Sequence, residues 1–190
     1  MKINFRELAI SGLWEAIPEQ YEDERGSLSR LFDRELFLAA GINARRVQET
    51  LQISKKKNTL RGLHVSLPPN VEGKMITSVR GEVFWVAVDV RRKSAHFGQW
   101  VGITLTDGKK NIFIAEPGFA FGCLSLTDNS ASLINAEKYY SDEHGTGINC
   151  FDGYLGIEWP FRGLEDGVIM RERDQHYPRF IDFVAKYGGV

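Results

Sequence analysis

The chain has 190 residues, 43% of them hydrophobic and 26% charged, with a formal net charge of −1. That is enough for one domain with a substantial core, and the charge balance excludes a strongly basic nucleic-acid-binding surface. Cys123 and Cys150 form neither a disulfide framework nor a metal-type spacing, and are expected to be buried free thiols. No apolar run reaches the ~18 residues of a membrane span, and Met1 to Leu8 is charged without the apolar stretch of a secretory signal. The expectation is a soluble, cytoplasmic protein.

Along the chain, Glu22-Asp23-Glu24-Arg25-Gly26 reads as a turn, and weak alternation from Ser27 to Phe32 predicts a short strand. Asp33 to Ala40 fits one helical segment closed by Gly41. From residue 46 to 140 the signals are those of strands. Met75 to Val79 alternates, and Glu82 to Val90 is rich in β-branched and aromatic residues. Trp100 to Leu105 and Asn111 to Ala115 flank Thr106-Asp107-Gly108-Lys109-Lys110, which predicts a hairpin. Phe119 to Leu126 and Ser130 to Tyr140 continue the series. Short strands at close spacing, with Gly-centred turns, predict a β-sandwich or small barrel and argue against a parallel α/β fold. Residues 141–190 are loop-rich. Gly145-Thr146-Gly147 reads as a turn, and Arg179 to Tyr187 predicts a terminal helix before Gly188-Gly189.

Of the four histidines, His64, His96, His144 and His176, the first has the most informative neighbours. It ends Leu60-Arg61-Gly62-Leu63-His64, just before Pro68-Pro69. Arg61 lies three residues away and Lys74 ten, and on alternating strands these side chains are expected to share one face of a sheet. Fixed cations so arranged suit an anionic ligand such as a diphosphate. No Gly-x-Ser-x-Gly, P-loop or dinucleotide-binding glycine pattern is present. Phe84, Trp85, Phe113 and Phe121 read as core aromatics on strands, and Lys55-Lys56-Lys57 as a solvated turn.

The stretch Lys55-Lys56-Lys57-Asn58-Thr59-Leu60-Arg61-Gly62-Leu63-His64 closely resembles a signature of the dTDP-4-dehydrorhamnose 3,5-epimerase family. Glu72-Gly73-Lys74, Val79-Arg80-Gly81-Glu82-Val83-Phe84, Pro117-Gly118-Phe119-Ala120, Tyr139-Tyr140 and Gly156-Ile157-Glu158-Trp159-Pro160 follow in the family's order. The resemblance implies an all-β fold, a cupin jelly-roll β-sandwich with short peripheral helices. It would occupy residues 1–190 as one domain, with an N-terminal arm and a loop-rich C-terminal segment, and would pair as a homodimer. It further implies an isomerase of deoxysugar and carbohydrate biosynthesis, acting on a nucleotide diphosphate sugar without a cofactor. A 4-keto group acidifies the C–H bonds at C3 and C5. A histidine oriented by an aspartate removes a proton, nearby cations hold the enolate, and a tyrosine on the opposite face returns a proton. A cupin metal site would need a His-x-His pair, a later Glu and a further His. Ser66 stands two after His64 and Phe121 on the later strand, leaving only Glu72 beside His64, so no metal is expected.

Matched position by position to that family, His64 corresponds to the base, Asp174 to its orienting carboxylate and Lys74 to the lysine near the keto oxygen. Arg25, Gln48 and Arg61 match sugar- and phosphate-contacting positions. Tyr140 matches an aromatic that stacks on the nucleotide base from the partner subunit, and Arg173 stands at a ligand-contacting lysine. One side of the pattern is altered. Ile134 occupies the place of the proton-donor tyrosine and cannot donate a proton. Phe121 replaces a histidine and Trp85 an aspartate that form a polar pair in the family. Their joint replacement reads as coherent repacking, since neither leaves an orphaned partner. Arg30, Thr50 and Gly145 also depart from the pattern. Three readings stay open: epimerisation at one carbon with water or another phenol such as Tyr139 as donor, action on a different 4-keto sugar such as a deoxygenated one inverted only at C5, or a noncatalytic nucleotide-sugar binder. The retained His64, Lys74 and Asp174 favour an enzyme, expected to act at a single carbon.

Overall fold

The computed structural model describes residues 1–43, 45–161 and 167–190. Its strands in chain order are β1 (Ile3–Glu7), β2 (Leu13–Pro18), β3 (Gln20–Asp23), β4 (Gly26–Ser29), β5 (Gln48–Ser54), β6 (Leu60–Ser66), β7 (Lys74–Arg80), β8 (Glu82–Asp89), β9 (Trp100–Thr106), β10 (Ile112–Ala115), β11 (Phe119–Ser125), β12 (Ser130–Ala136) and β13 (Gly145–Gly147). The helices are α1 (Arg34–Ala39), α2 (Glu172–Gln175) and α3 (Phe180–Tyr187). A six-stranded sheet in the order β1-β2-β10-β7-β12-β5 faces a five-stranded sheet in the order β13-β6-β11-β8-β9, with β3-β4 a separate hairpin. This is the expected jelly-roll arrangement, with the pairs antiparallel.

Three apolar layers explain why these segments become strands. Between the sheets lie Ile76, Trp85, Ala87, Phe113, Phe121 and Cys123, with Ile134 packed against them. The outer face of the five-stranded sheet carries Leu60, Leu63, Val86, Val88 and Leu124, covered by Ile148, Trp159, Phe180 and Phe183 from the C-terminal segment. β8 and β11 therefore bury both faces, and their sequences are nearly continuous apolar runs. On the outer face of the six-stranded sheet, α1 buries Phe37 over Ile112 and Ile114. Each fully buried Leu or Phe contributes about 1.5–3 kcal/mol. Asp33 caps α1 by accepting from Glu35 N and Leu36 N at 3.1 and 3.4 Å, and Gly41 follows it as predicted.

Two expectations need correction. β9 and β10 do not form a hairpin, because they lie in different sheets. The turn does form, with Lys110 N donating to Thr106 O at 2.9 Å. But β10 is buried on every residue and needs neighbours on both sides, which β2 and β7 supply. Buried Asn111 ties the crossing to β2 by donating to Glu15 Oε1 at 2.9 Å. Gly145-Thr146-Gly147 is not a turn but the short edge strand β13, paired with β6 so that Gly147 stands opposite His64. Among the described residues no helix is long and apolar enough to cross a membrane.

Candidate active site

The site is built on an irregularity in β6. Phe121 of β11 pairs with His64 and Cys123 with Arg61, so two steps on β11 match three on β6. The extra residue forms a β-bulge. It turns both Arg61 and His64 toward the space between the sheets, while Leu60 and Leu63 enter the outer core. The bulge depends on Gly62, whose φ is +108°. A Cβ there would collide with the Phe121 carbonyl oxygen and lie 2.8 Å from Gly122 Cα.

Asp174 of α2 completes the pair with His64. Its Oδ1 and Oδ2 lie 3.2 and 3.1 Å from His64 Nε2, and Oδ2 also accepts the Gly62 N–H at 2.9 Å. The carboxylate is 3% exposed and the imidazole side chain 41%. Burial opposes the charge on Asp174, but the hydrogen bonds from His64 and Gly62, with His64 and Arg173 nearby, more than offset it. They hold the carboxyl below its ordinary value of 3.8. A carboxylate only accepts, so Nε2 carries a proton, and in the neutral ring Nδ1 then holds the lone pair. That is the tautomer a general base requires.

His64 opens into a cavity of about 210 Å³, whose wall also includes Ser66, Glu72, Lys74, Tyr139, Tyr140, His144, Arg173 and Tyr177. Lys74 comes from the six-stranded sheet and His64 from the five-stranded one. The cations therefore do not share one sheet face, as expected from spacing; two facing sheets converge on one cavity. Lys74 Nζ lies 3.1 Å from Glu72 Oε1 and 4.9 Å from the centre of the Phe121 ring. Glu72 also accepts from Ser66 Oγ at 3.2 Å, so it is committed to this pair. Tyr140, expected to serve a partner subunit's site, lines the cavity of its own chain; its backbone N–H donates to Gln48 Oε1 at 3.0 Å and its phenol to Asp142. A larger concavity of about 1000 Å³ lies around Arg91–His96, and none of the candidate residues lines it.

Other predicted residues sit elsewhere. Arg61 faces inward but donates to Ile53 O at 3.2 Å, with its Nε buried and unpaired. Arg25 stands at the tip of the β3-β4 hairpin, paired with Asp23 and 84% exposed, and does not reach the cavity of its own chain. Trp85 and Phe121 are buried between the sheets, where Trp85 Nε1 donates to Ser132 Oγ at 3.3 Å. Ile134 packs against the same cluster. It pairs with Ile76, two residues along β7 from Lys74, so it faces inward on the same side as that lysine. Cys123 and Cys150 are buried free thiols, as expected; burial pushes the Cys123 thiol up to about 11. Tyr177 and the Ser141–His144 pair were not legible as site residues; Ser141 Oγ lies 2.9 Å from His144 Nδ1. Among the described residues no three His, Cys, Asp or Glu side chains gather as a metal-holding group.

A bulged histidine thus meets a buried aspartate on the wall of a cavity in a jelly roll. The model of the dTDP-4-dehydrorhamnose 3,5-epimerase family matches residues 7–182. The chain belongs to this family. Over 176 residues it is 34% identical to the dTDP-4-dehydrorhamnose 3,5-epimerase of Methanothermobacter thermautotrophicus, covering 93% of this chain and 94% of that one. Its structure is similar to dTDP-6-deoxy-D-glucose-3,5-epimerase from Legionella pneumophila in complex with dTDP-4-keto-L-rhamnose, with a TM-score of 0.91, 32% identity, and 98% and 97% of the two chains covered. It is also similar to ChmJ, a 3'-monoepimerase from Streptomyces bikiniensis in complex with dTDP-quinovose, with a TM-score of 0.85, 28% identity, and 95% and 89% coverage. The epimerase family thus accounts for the cupin fold and places the chain among isomerases of nucleotide sugars.

Proposed function

We infer that this chain epimerises a dTDP-linked 4-keto-6-deoxy sugar at a single carbon, C3 or C5, next to the ketone. The observation that carries this is the His64–Asp174 pair on the cavity wall, which occupies Nε2 and, in the neutral ring, leaves the lone pair on Nδ1. Nδ1 takes the proton from the acidified carbon, and the imidazolium that forms is balanced by Asp174. Lys74 receives the developing enolate oxygen. Arg173, Tyr140 and Gln48 hold the nucleotide diphosphate end, with Arg61 deeper between the sheets.

Proton return distinguishes this chain. Ile134 supplies none, which supports action at one centre, with solvent or the 71%-exposed Tyr139 at the cavity rim as donor. The similarity to a 3'-monoepimerase accords with one-carbon inversion. A homodimer fits the outer face of the six-stranded sheet, where Leu51, Ile53 and Val79 are 55, 48 and 45% exposed, beside Leu28 of the hairpin at 62%. Arg25, exposed at the tip of the hairpin that carries Leu28, is assigned in this reading to the partner's site. The enzyme works in the cytoplasm in this reading, in accord with its free thiols.

The loss of the acid at Ile134 also favours a second reading, a noncatalytic nucleotide-sugar-binding homologue. Titration with a dTDP-4-keto-6-deoxyhexose, paired with solvent-deuterium exchange, separates the two. Binding with exchange supports the epimerase; binding without exchange at C3 or C5 supports the binder.

A further inference from the structure

Resting on the reading of His64 as the base, we propose that Tyr177 is a positioning residue that fixes the plane of the His64 imidazole. The Asp174 hydrogen bond holds His64 at Nε2 alone, and a ring held at one nitrogen can still swing its other nitrogen through the cavity. Tyr177 removes that freedom. Its ring meets the imidazole edge-to-face, with centroids 6.0 Å apart and planes at 83°. Its seat is made by Gly147, the register partner of His64 on β13. A Cβ at that glycine would overlap the Tyr177 ring, coming within 2.5 Å of its Cζ. On the other side the Arg173 guanidinium lies 5.9 Å from the same ring. One aromatic plate thus braces the base and a cation of the cavity wall. The contacts that Tyr177 makes with His64 and Arg173 are made by its ring.

Two consequences follow for variants. Tyr177→Phe keeps the ring and retains kcat within about twofold. Tyr177→Ala frees the imidazole and lowers kcat about 10- to 100-fold, the scale of small misplacements of a reacting group, with the KM for the nucleotide sugar changed far less. The test is deuterium incorporation from D2O into a dTDP-4-keto-6-deoxyhexose, run with nitrogen-15 NMR of the His64 ring in the free proteins. The expected NMR result is the Nε2–H tautomer set by Asp174 in all three proteins, with sharp His64 ring signals in wild type and Tyr177→Phe and exchange-broadened ones in Tyr177→Ala. A Tyr177→Ala protein that is folded, turns over at the wild-type kcat and keeps sharp ring signals overturns the proposal. So does loss of turnover in Tyr177→Phe, which would place the function in the hydroxyl. If the wild type itself shows no exchange, the reading of His64 as the base fails, and the comparison of ring-signal widths still decides whether Tyr177 braces the ring.

Discussion

Arg61 and His64 stand three residues apart on one strand and yet face the same interior. The bulge against Phe121 and Cys123 makes this possible, and Gly62 makes the bulge possible. Gly62→Ala forces a Cβ into β11 at a φ that side chains rarely adopt, and disturbs the N–H held by Asp174. The expected cost is more than about 2 kcal/mol, in the range of core overpacking joined to backbone strain. Urea denaturation checks it; an unchanged midpoint would show that the strands separate freely here.

The base itself is tested by His64→Asn, which removes the proton acceptor and keeps a polar group of similar size. Exchange at the sugar carbon should fall by about 10²- to 10⁴-fold, the usual contribution of a general base. Nucleotide binding, measured by calorimetry with dTDP, should change little.

Asp174 links the site to acid stability. Its carboxyl is held below the ordinary 3.8 in the folded protein. A depressed folded-state value means the contribution is complete above the unfolded value and is lost as pH falls through the folded one. Wild type should therefore lose stability progressively below about pH 4. Asp174→Asn should be less stable at pH 7 and show a shallower loss over that acid range. Circular dichroism melts from pH 7 to pH 3 provide the comparison, and parallel curves would remove Asp174 from the account.

Much of the architecture was legible because burial on two faces writes itself as apolar runs. β8 and β11 were found that way, and α1 by Asp33 and Gly41. The pairing of β9 and β10 was misread because a good turn between two strands does not say which sheet each joins; β10 is drawn between β2 and β7 by burial. β13 was missed because three residues, two of them glycine, carry no periodicity. His64, Arg61 and Lys74 stood out as a charged group in a strand region. Asp174 lies 110 residues away on a one-turn helix, and only the family resemblance gave it a role. Tyr177 had no such resemblance and sits in an aperiodic loop, so only contact with His64 reveals it.

Ile134 packs against the inner cluster at the position where the proposed function lacks a phenol. Ile134→Tyr places a phenol inward on the Lys74 side of the interior, facing the cluster of Phe121 and Trp85. The added bulk should cost about 1–3 kcal/mol. Proton return should accelerate by at least about tenfold, within the reach of a positioned acid. Rapid-quench measurement of inversion in Ile134→Tyr and wild type checks this; equal rates would show that solvent already returns the proton without delay.

The apolar strip on the six-stranded sheet should lie in a dimer interface. Leu51→Glu with Ile53→Glu puts two charges on that face, where an interface core excludes them. Sedimentation should change from dimer to monomer. A wild-type monomer would leave Arg25 without a cavity to serve.

The central claim, one-centre epimerisation by His64, is tested most directly by proton NMR of a dTDP-4-keto-6-deoxyhexose in D2O with the wild-type enzyme. One-centre epimerisation puts deuterium at C3 or at C5, accompanied by inversion at that carbon. Deuterium and inversion at both carbons would contradict the single centre, and saturating binding with no deuterium at either would contradict catalysis.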